Sequence, residues 1–409
     1  MAFGDGADDA ALRAAWYGFC DTLKTSGDLA FKDVNPGSSL QRADAFRFLT
    51  QALSQAFDLA LETRDPRAPG LHAFCGPRRK LGADCADFTY HQAWIDGAST
   101  YRLSGRKGSA RFFNITVQGA RLERHAGTDG RSRNLHEPFG DMPEANIFGH
   151  QIEAHADGCF ELFIGGERAG ANWLPTTPDS RKLFIRQGFD DWDETPAELH
   201  MERLGMTGPA ALPTPGRMIE AIDWARDFLL GCMSDWPDLQ LETGLVMQPD
   251  LLNAFPGMGA DAGNQKRGRA ASIMHWRLAP DEALVITFGE HPAFWSFTNM
   301  GIFCNSMDYL YRPVSYTPAR TARDLDSRIR LVMAHRDPGY ANWIDTQAFE
   351  TGFLAFRTMM SADAPTLSTE VVKISGLADA LPGSPTMRPE QRLAALDARY
   401  RAICRRFGL

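Results

Sequence analysis

The stretch from His335 to Thr346 gathers side chains that could do chemistry. It reads HRDPGYANWIDT and directly follows the apolar run 329–333. Loops that strands hold in place are common positions for functional sites, and a histidine is an acid–base group near neutral pH. We therefore expect His335, with Asp337 and Asp345, to transfer protons. The same residues also fit a structural turn in which Asp337 accepts a hydrogen bond from its own loop.

Other side chains suit the binding of an organic ligand. The guanidinium of Arg186 or Arg336 could hold an anionic or carbonyl group. Trp295 and Trp343 could form the walls of an apolar pocket, and Asn342 could add a hydrogen bond. Each of these residues also fits a second interpretation. Tryptophans fill sandwich cores, and arginines pair with carboxylates for purely structural reasons.

An acidic segment, DDWDE, contains Asp190, Asp191 and Glu194. A DDxxE arrangement binds magnesium and a diphosphate in isoprenoid cyclases, and carboxylate oxygens suit that ion. In those enzymes the motif lies on a long helix, whereas here it follows the predicted strand 183–187. A solvated acidic turn is therefore the favoured interpretation, and a magnesium-dependent isoprenoid site is the alternative.

Histidine spacing does not predict a metal site. His150 and His155, with Glu153 between them, are five residues apart, which places them on one face of neither a helix nor a strand. The pair His136 and Glu137 would likewise need ligands from elsewhere. The chain also has no Gly-x-Ser-x-Gly elbow, Walker loop or dinucleotide fingerprint, so serine-hydrolase chemistry, ATP and dinucleotides have no support. We expect no cofactor, with magnesium as the alternative.

Composition and charge narrow the class of protein. The chain has 409 residues, 44% of them hydrophobic and 23% charged, and a net charge of -8. This acidic balance argues against a nucleic-acid partner. The seven cysteines include no Cys-x-x-Cys pair, which indicates reduced thiols. We find no signal peptide and no apolar stretch of about 20 residues. We therefore expect a cytoplasmic protein without a membrane span, and the sequence is compatible with a homodimer.

Hydrophobic periodicity predicts four amphipathic helices. The first two are expected over residues 8–24 and from Ser38 to about residue 60, and the third over residues 218–233. The last helix begins at Pro389. It should bury an apolar stripe formed by Leu393, Leu396, Tyr400, Ile403 and Phe407.

Period-two segments predict strands. Residues 100–104 and 110–117, joined by the turn 105–108, are typical of a β-hairpin. Further strands are expected at residues 159–164, 183–187, 198–204, 283–288, 294–303, 329–334 and 353–358. These short strands with frequent turn signals predict an α+β fold, an antiparallel β-sandwich core with N-terminal, middle and C-terminal amphipathic helices.

The pattern of helices and strands predicts five regions along the chain. They are an N-terminal helical region (1–77), a first β-rich region (78–208), a helical and loop insertion (209–280), a second β-rich region with the HRDPGYANWIDT motif (281–360) and a C-terminal tail and helix (361–409). Within the insertion, residues 256–269 are glycine-rich and without periodicity, which is typical of a mobile loop or a lid.

Several motifs together resemble a bacterial family known as the domain of unknown function 1214. They are Gly82-x-x-x-x-Asp87 with Ile95-Asp-Gly, YRLSGRKG at 101–108, Asn172-Trp-Leu-Pro175, Ile185-Arg-Gln, Asp191-Trp-Asp, Ser306-Met-Asp-Tyr309 and residues 335–346. The resemblance runs from about residue 40 to about residue 360. It implies a β-sandwich core and gene neighbourhoods for hydrophobic small-molecule metabolism, with no assigned residue roles. Where relatives have Asn-Pro-Asp, this chain has Cys85-Ala86-Asp87.

These observations lead to one functional expectation with two alternatives. The expectation is a metal-independent enzyme, a lyase, isomerase or hydrolase, that acts on a hydrophobic small molecule such as a terpenoid, steroid or aromatic compound. One alternative is a magnesium-dependent isoprenoid diphosphate enzyme that uses the DDWDE segment. The other is a non-catalytic protein that binds a hydrophobic ligand.

Overall fold

A computed structural model of the chain defines the architecture. It describes residues 6–33, 35–119, 125–126, 132–133, 141–168, 170–205, 208, 212–235, 237, 251–258, 268–361 and 363–409. All seven cysteines lie in these ranges, and none of them forms a disulfide. None of the helices in the described ranges combines the length and apolar character needed to cross a membrane.

The helices lie in the first, middle and last parts of the chain, and two of them begin at side-chain caps. They are α1 (Gly6–Asp28), α2 (Ser39–Phe57), α3 (Pro215–Leu230), α4 (Leu377–Ala380) and α5 (Pro389–Phe407). Ser38 accepts from the N–H of Gln41 at 3.1 Å and thereby caps α2, and Thr214 caps α3 in the same way. These side-chain bonds satisfy N–H groups that have no partner inside the helix.

The strands follow one another along most of the described chain. They are β1 (His72–Cys75), β2 (Phe88–Trp94), β3 (Tyr101–Arg106), β4 (Phe112–Gly119), β5 (His125–Ala126), β6 (Ser132–Arg133), β7 (Met142–Phe148), β8 (Cys159–Ile164), β9 (Trp173–Leu174), β10 (Ser180–Gly188), β11 (Glu198–Arg203), β12 (Arg269–Arg277), β13 (Glu282–Phe288), β14 (Phe294–Met300), β15 (Ser315–Tyr316), β16 (Ile329–Ala334), β17 (Trp343–Asp345), β18 (Thr351–Met359) and β19 (Ser368–Lys373).

Four sheets pack as two sandwiches. Sheet I has the order β1-β2-β10-β4-β7 and sheet II the order β11-β3-β8-β9, and their facing side chains form the core of sandwich 1. Sheet III (β12-β18-β14-β15) and sheet IV (β17-β16-β13-β19) enclose the core of sandwich 2. Pairing is antiparallel except between β8 and β9 and between β16 and β17. The predicted α+β fold with a β-sandwich core is thus confirmed, with two sandwiches in place of one.

The outer surface of sheet I faces the outer surface of sheet III. At one end the rings of Phe88 and Phe294 stack, with centroids 6.0 Å apart. At the other end α2 and α3 cover both surfaces and share a hydrophobic cluster with Phe184 and Phe353. The two sandwiches are therefore joined through a buried layer that belongs to neither core.

The predicted hairpin over residues 100–117 is wrong. β3 pairs with β8 and β11 in sheet II, whereas β4 pairs with β7 and β10 in sheet I. The connection between β3 and β4 crosses from one sheet of sandwich 1 to the other. Gly108 in this connection allows the chain to approach the backbone of Thr195 closely. A Cβ at Gly108 would lie 2.1 Å from the carbonyl oxygen of Thr195.

The predicted apolar stripe of the last helix is also wrong in part. Leu393 is 67% exposed and Tyr400 is 41% exposed. The buried positions of α5 are instead Arg392, Arg399, Ala402 and Ile403. The helix binds the body of the protein partly through guanidinium groups, which an apolar periodicity cannot reveal.

Candidate functional site

The histidine of the HRDPGYANWIDT loop is engaged on both ring nitrogens. Nδ1 of His335 lies 2.7 Å from the hydroxyl oxygen of Thr346. Nε2 lies 3.2 Å from the carbonyl oxygen of Leu278, to which it must donate because a carbonyl only accepts. The half-buried ring therefore bridges two parts of sandwich 2.

Asp337 connects the same loop to α5. Its Oδ1 accepts from the N–H of Gly339 at 2.9 Å, the local turn bond that the sequence allows. Its Oδ2 lies 3.0 Å from Nε of Arg392, a buried residue of α5 that also donates to the carbonyl of Ala341 at 3.2 Å. Arg336, in contrast, is exposed. The carboxylate of Asp337 has the geometry of a structural contact.

Asp345 and Asn342 also have well-defined partners. Oδ2 of the buried Asp345 lies 2.7 Å from Nη1 of Arg312, and its Oδ1 accepts from the N–H of Gln347 at 2.7 Å. The amide of Asn342 bonds both backbone groups of Ala322, at 2.7 and 2.9 Å. Each of the three expected proton-transfer groups thus has its own partner, and this arrangement favours a structural role for the motif.

The two tryptophans expected to wall one pocket lie in separate clusters. Trp295 is 1% exposed inside the core of sandwich 2, with the ring of Phe288 at 5.3 Å. Trp343 packs with Leu377 in a different cluster, and its Nε1 donates to the carbonyl of Ala334 at 3.0 Å. The structure therefore does not bring Trp295 and Trp343 together.

The acidic segment forms a turn whose carboxylates bind protein donors. Asp190 is buried, pairs with Arg111 and accepts from the N–H of Ala319 at 2.8 Å. Oε2 of Glu194 accepts from the N–H of Asp190 at 2.7 Å, and Asp191 is exposed. In the ranges that the structure describes, no three His, Cys, Asp or Glu side chains have the arrangement of metal ligands. The segment therefore forms an acidic turn, as the sequence indicates, but Asp190 is buried in it and is not solvated.

Two further expectations fall wholly or mostly outside the described residues. These are the pair His136 and Glu137 and most of the loop 256–269. The described end of that loop, Gly268, has φ +63°, and a Cβ there would lie 2.5 Å from the ring of Phe148. Glycine is therefore required where this segment meets β7.

Polar side chains concentrate on the facing surfaces of sheets I and III. In sheet I, Arg186 stands directly opposite Tyr90 on one neighbouring strand and Asn114 on the other, so all three point to the same side. In sheet III, Arg357 stands opposite Ser296. We call this region the interlayer, and its polar members are Tyr90, Gln92, Asn114, Thr116, Arg186, His275, Ser296, Thr298 and Arg357.

Arg186 and Arg357 occupy equivalent levels on the two surfaces. Each lies between the end that the helices cover and the end where Phe88 and Phe294 meet. Arg186 is 2% exposed, donates to Oδ1 of Asn114 at 2.7 Å and lies 5.7 Å from the centroid of Phe112. The structure thus buries the one arginine that the sequence analysis selected on a strand.

Arg357 carries an uncompensated charge within the described part of the chain. It is 4% exposed and donates through Nη2 to the carbonyl of Ala83 at 2.6 Å. No described carboxylate lies within ion-pair distance, and Nη1 has no partner. Burying a guanidinium without a carboxylate is costly, so this position is suited to an anionic or carbonyl group from outside the chain.

Three more interlayer side chains have a donor or an acceptor that no described residue uses. In the described structure Nδ2 of Asn114 and Oε1 of Gln92 have no partner. The hydroxyl oxygen of Tyr90 accepts from the N–H of Cys85 at 3.0 Å, which leaves its hydrogen to donate. Burial raises the pKa of Tyr90, so this phenol stays protonated and acts as a donor.

His275 lies on the same surface of sheet III and is held as a neutral ring. Thr351 donates its hydroxyl hydrogen to the carbonyl of Trp276 at 2.7 Å, so it accepts from Nε2 of His275 at 2.7 Å. Burial lowers the pKa of His275 to about 4. Nδ1 therefore carries a lone pair, and this buried atom has no partner in the described structure.

A cavity of about 180 Å³ lies beside Phe112, whose ring centroid is 5.7 Å from that of Phe88. Three phenylalanines contribute to its walls, and the ring centroid of one of them, Phe112, lies 5.7 Å from Arg186. An engineered cavity of about 150 Å³ binds benzene, so this volume is large enough for one ring of a ligand. The lining residues are Lys107, Gly108, Ala110, Arg111, Phe112, Phe113, Phe148, Gly149, His150, Gln187 and Met360.

Sequence reasoning missed most of the interlayer. Arg186 was selected, but Asn114, Arg357 and His275 were not. The available signal was a strand buried along its whole length with polar residues inside it, as in FFNITVQG at 112–119 and TGFLAFRTM at 351–359. A polar residue at such a position has to find a partner.

The fold and the interlayer together define a class of protein, two β-sandwiches joined through helices and a polar buried layer. Residues 86–187 match the family described as "Protein of unknown function (DUF1214)". This match confirms the resemblance seen in the sequence motifs and covers β2, β4 and nearly all of β10, the strands that carry Tyr90, Asn114 and Arg186.

Two solved structures are similar to this chain. The crystal structure of an uncharacterized protein from Burkholderia cenocepacia is 28% identical, with a TM-score of 0.78, and the match covers 90% of this chain and 99% of that one. A protein from Vibrio parahaemolyticus is 13% identical with a TM-score of 0.42, over 85% of this chain and 100% of that one. A comparison with curated proteins finds no match.

Proposed function

We propose that the protein binds a hydrophobic small molecule that carries a carboxylate or carbonyl group, and that it does so in the interlayer. The polar group would accept hydrogen bonds from Arg357, Asn114 and Tyr90. The apolar part would lie against the aromatic walls next to Phe112. Terpenoid, steroid and aromatic acids or ketones belong to this class.

One observation carries this proposal, the accumulation of unpartnered buried donors on two facing surfaces. Nη1 of Arg357 and Nδ2 of Asn114 have no partner within the described residues, and the hydrogen of Tyr90 is available. Each unpaired buried donor costs about 1–3 kcal/mol. Such a cost is expected where a ligand supplies the missing acceptor, because function is commonly retained at the expense of stability.

The first experiment is a binding screen by isothermal titration calorimetry with geranic acid, benzoic acid and androstenedione. These probes represent a terpenoid acid, an aromatic acid and a steroid ketone. We expect at least one to bind, and Arg357→Gln to weaken that binding about tenfold or more, since a hydrogen bond to a charged group contributes about 1.5–3 kcal/mol. Circular dichroism melting shows whether the variant is folded.

The matched control is Arg336→Gln, which removes an exposed arginine from the loop that the sequence favoured. It should leave the affinity unchanged. If Arg336→Gln weakens binding as much as Arg357→Gln does, or if none of the three probes binds, the interlayer proposal is wrong.

Metal-independent turnover as a lyase, isomerase or hydrolase is the second candidate, and His275 favours it. A neutral imidazole with a free Nδ1 is able to remove a proton. We expect His275→Asn to keep the affinity for the bound probe class and to abolish conversion, measured by mass spectrometry in the presence of EDTA. If His335→Asn abolishes conversion and His275→Asn does not, proton transfer runs through the HRDPGYANWIDT loop.

The remaining expectations have less support. A magnesium site at Asp190, Asp191 and Glu194 would require Asp190 to give up Arg111 and the N–H of Ala319. A homodimer stays a proposal, for which exposed aromatic residues of α1, Trp16 and Tyr17, are the candidate contacts.

A further inference from the structure

A second cleft, of about 620 Å³, lies at the N-terminus of α3. Its walls come from the segment that follows α2, the loop after β2, the end of β11 and the first turns of α3. The volume lies within the range of small-molecule sites. The lining residues are Ala60, Leu61, Arg64, Asp65, Pro66, Arg67, Asp96, Arg203, Arg217, Glu220 and Ala221.

Three arginines from different parts of the chain converge in this cleft. Arg64 lies 4.6 Å from the ring of Trp94 and 5.4 Å from the ring of Trp224. Arg203 and Arg217 are half-buried, and among the described residues neither makes an ion pair or a side-chain hydrogen bond. Arg217 belongs to the first turn of α3, where the helix dipole adds positive potential.

Four arginines and three acidic residues line the cleft, so its formal charge is positive. Asp65 pairs with Arg67 at 2.7 Å, and hydrogen bonds from Arg67 lower the pKa of Asp65 to about 2. Asp96 accepts from the N–H of Ala98 at 3.1 Å and from Ser99 at 2.9 Å within its own turn. Glu220 is exposed.

We propose that this cleft binds a small anion with two or more negative charges, a phosphate ester or a polycarboxylate. Planar guanidinium groups bind both classes through paired hydrogen bonds. The rings of Trp94 and Trp224 hold Arg64 in place, which reduces the entropy lost on binding. The cleft does not include the interlayer donors, so the proposal is independent of the function proposed above.

The test is isothermal titration calorimetry of the full chain with inorganic pyrophosphate and with citrate, both in EDTA. We expect one of them to bind. Arg203→Gln and Arg217→Gln should each weaken binding about tenfold, because each removes a charged donor. Glu220→Gln should tighten binding about two- to threefold, since it removes a like charge from the rim. Arg323→Gln, which alters an exposed ion pair with Glu290, should change nothing.

The outcomes distinguish the chemical class of the anion and show where it binds. Binding of pyrophosphate alone identifies a phosphate ligand, and binding of citrate alone identifies a carboxylate. A change in tryptophan emission that is lost in Trp224→Phe would place the anion next to Arg64. If neither anion binds, or if the double variant Arg203→Gln with Arg217→Gln binds as tightly as the wild type, the proposal is overturned.

Discussion

Asn114 shows how one side chain reveals a functional layer. Its Oδ1 accepts from Nη2 of Arg186 at 2.7 Å and from the hydroxyl of Thr116 at 2.8 Å. Because arginine can only donate, the orientation of the amide is fixed. Nδ2 must then point away from Arg186 into a region where the described chain offers it no acceptor.

Histidine titration gives a prediction at the same scale. Burial lowers the pKa of His275 and of His91 to about 4 each, whereas an unfolded histidine titrates near 6.5. Below about pH 6.5 the unfolded state therefore binds more protons than the folded state, and stability falls as pH falls. We expect His275→Asn to reduce the stability lost between pH 7 and pH 5 by about 1–2 kcal/mol.

Urea unfolding at the two pH values measures this change. The substitution also removes the ring that packs at 5.5 Å on Phe353, so absolute stability will drop at both values. The informative quantity is the difference between pH 7 and pH 5. An equal pH-dependent loss in wild type and variant would mean that His275 titrates normally in the folded protein.

At the scale of elements, sequence patterns predicted helices better than strand pairing. α1, α2, α3 and α5 lie where apolar periodicity and caps place them, because both signals are local. β8 likewise buries Phe160, Leu162 and Ile164 as expected. Pairing is not local, so the close sequence neighbours β3 and β4 were wrongly placed in one hairpin.

Strands of the interlayer escaped prediction for a different reason. β2 and β12 were not predicted as strands at all. In β2, Tyr90 and Gln92 point toward the interlayer, and His91 points to the other side of the sheet. Polar residues therefore occur on both sides of this strand, and its sequence shows no apolar alternation. Arg186 was expected to bind a ligand because its guanidinium suits an anionic or carbonyl group, whereas the partners that surround it come from strands distant in sequence.

The last helix illustrates the same limit for polar burial. Rings and guanidinium groups alternate where α5 meets the acidic turn, with Arg320 4.1 Å and Arg399 4.9 Å from the centroid of Trp192. Arg399 donates to the carbonyl of Ser315 at 2.9 Å. Burial lowers the pKa of Arg399 to about 10. Buried arginines, which an apolar pattern does not mark, are therefore among the contacts that hold α5.

At the scale of the whole molecule, Asp87 joins the two sandwiches. It directly precedes β2 of sandwich 1, is 1% exposed and accepts from Ser296 and Ser315 of sandwich 2 at 3.0 Å each. It also pairs with Arg320. One buried carboxylate therefore balances guanidinium charge at the junction of sheets I and III.

Asp87→Asn should destabilise the protein by about 3–5 kcal/mol, the usual effect of removing one partner from a buried ion pair. Differential scanning calorimetry measures the loss, and we expect the single transition to separate into two as the sandwiches uncouple. The control Asp397→Asn removes an exposed carboxylate paired with Arg401, which should cost less than about 1 kcal/mol. A melting temperature equal to that of the wild type would show that Asp87 does not join the sandwiches.

The contacts that α5 makes with earlier parts of the chain have a consequence for synthesis on the ribosome. Residues 389–407 contact the turn at 190–192 through Arg405 and Arg406 and the loop at 337 through Arg392. Sandwich 1 is complete in sequence long before these residues are made, and at roughly 5–20 residues per second the nascent chain waits many seconds for them. During that interval the surface around Trp192 lacks its contacts with α5, and we expect it to be accessible to chaperones.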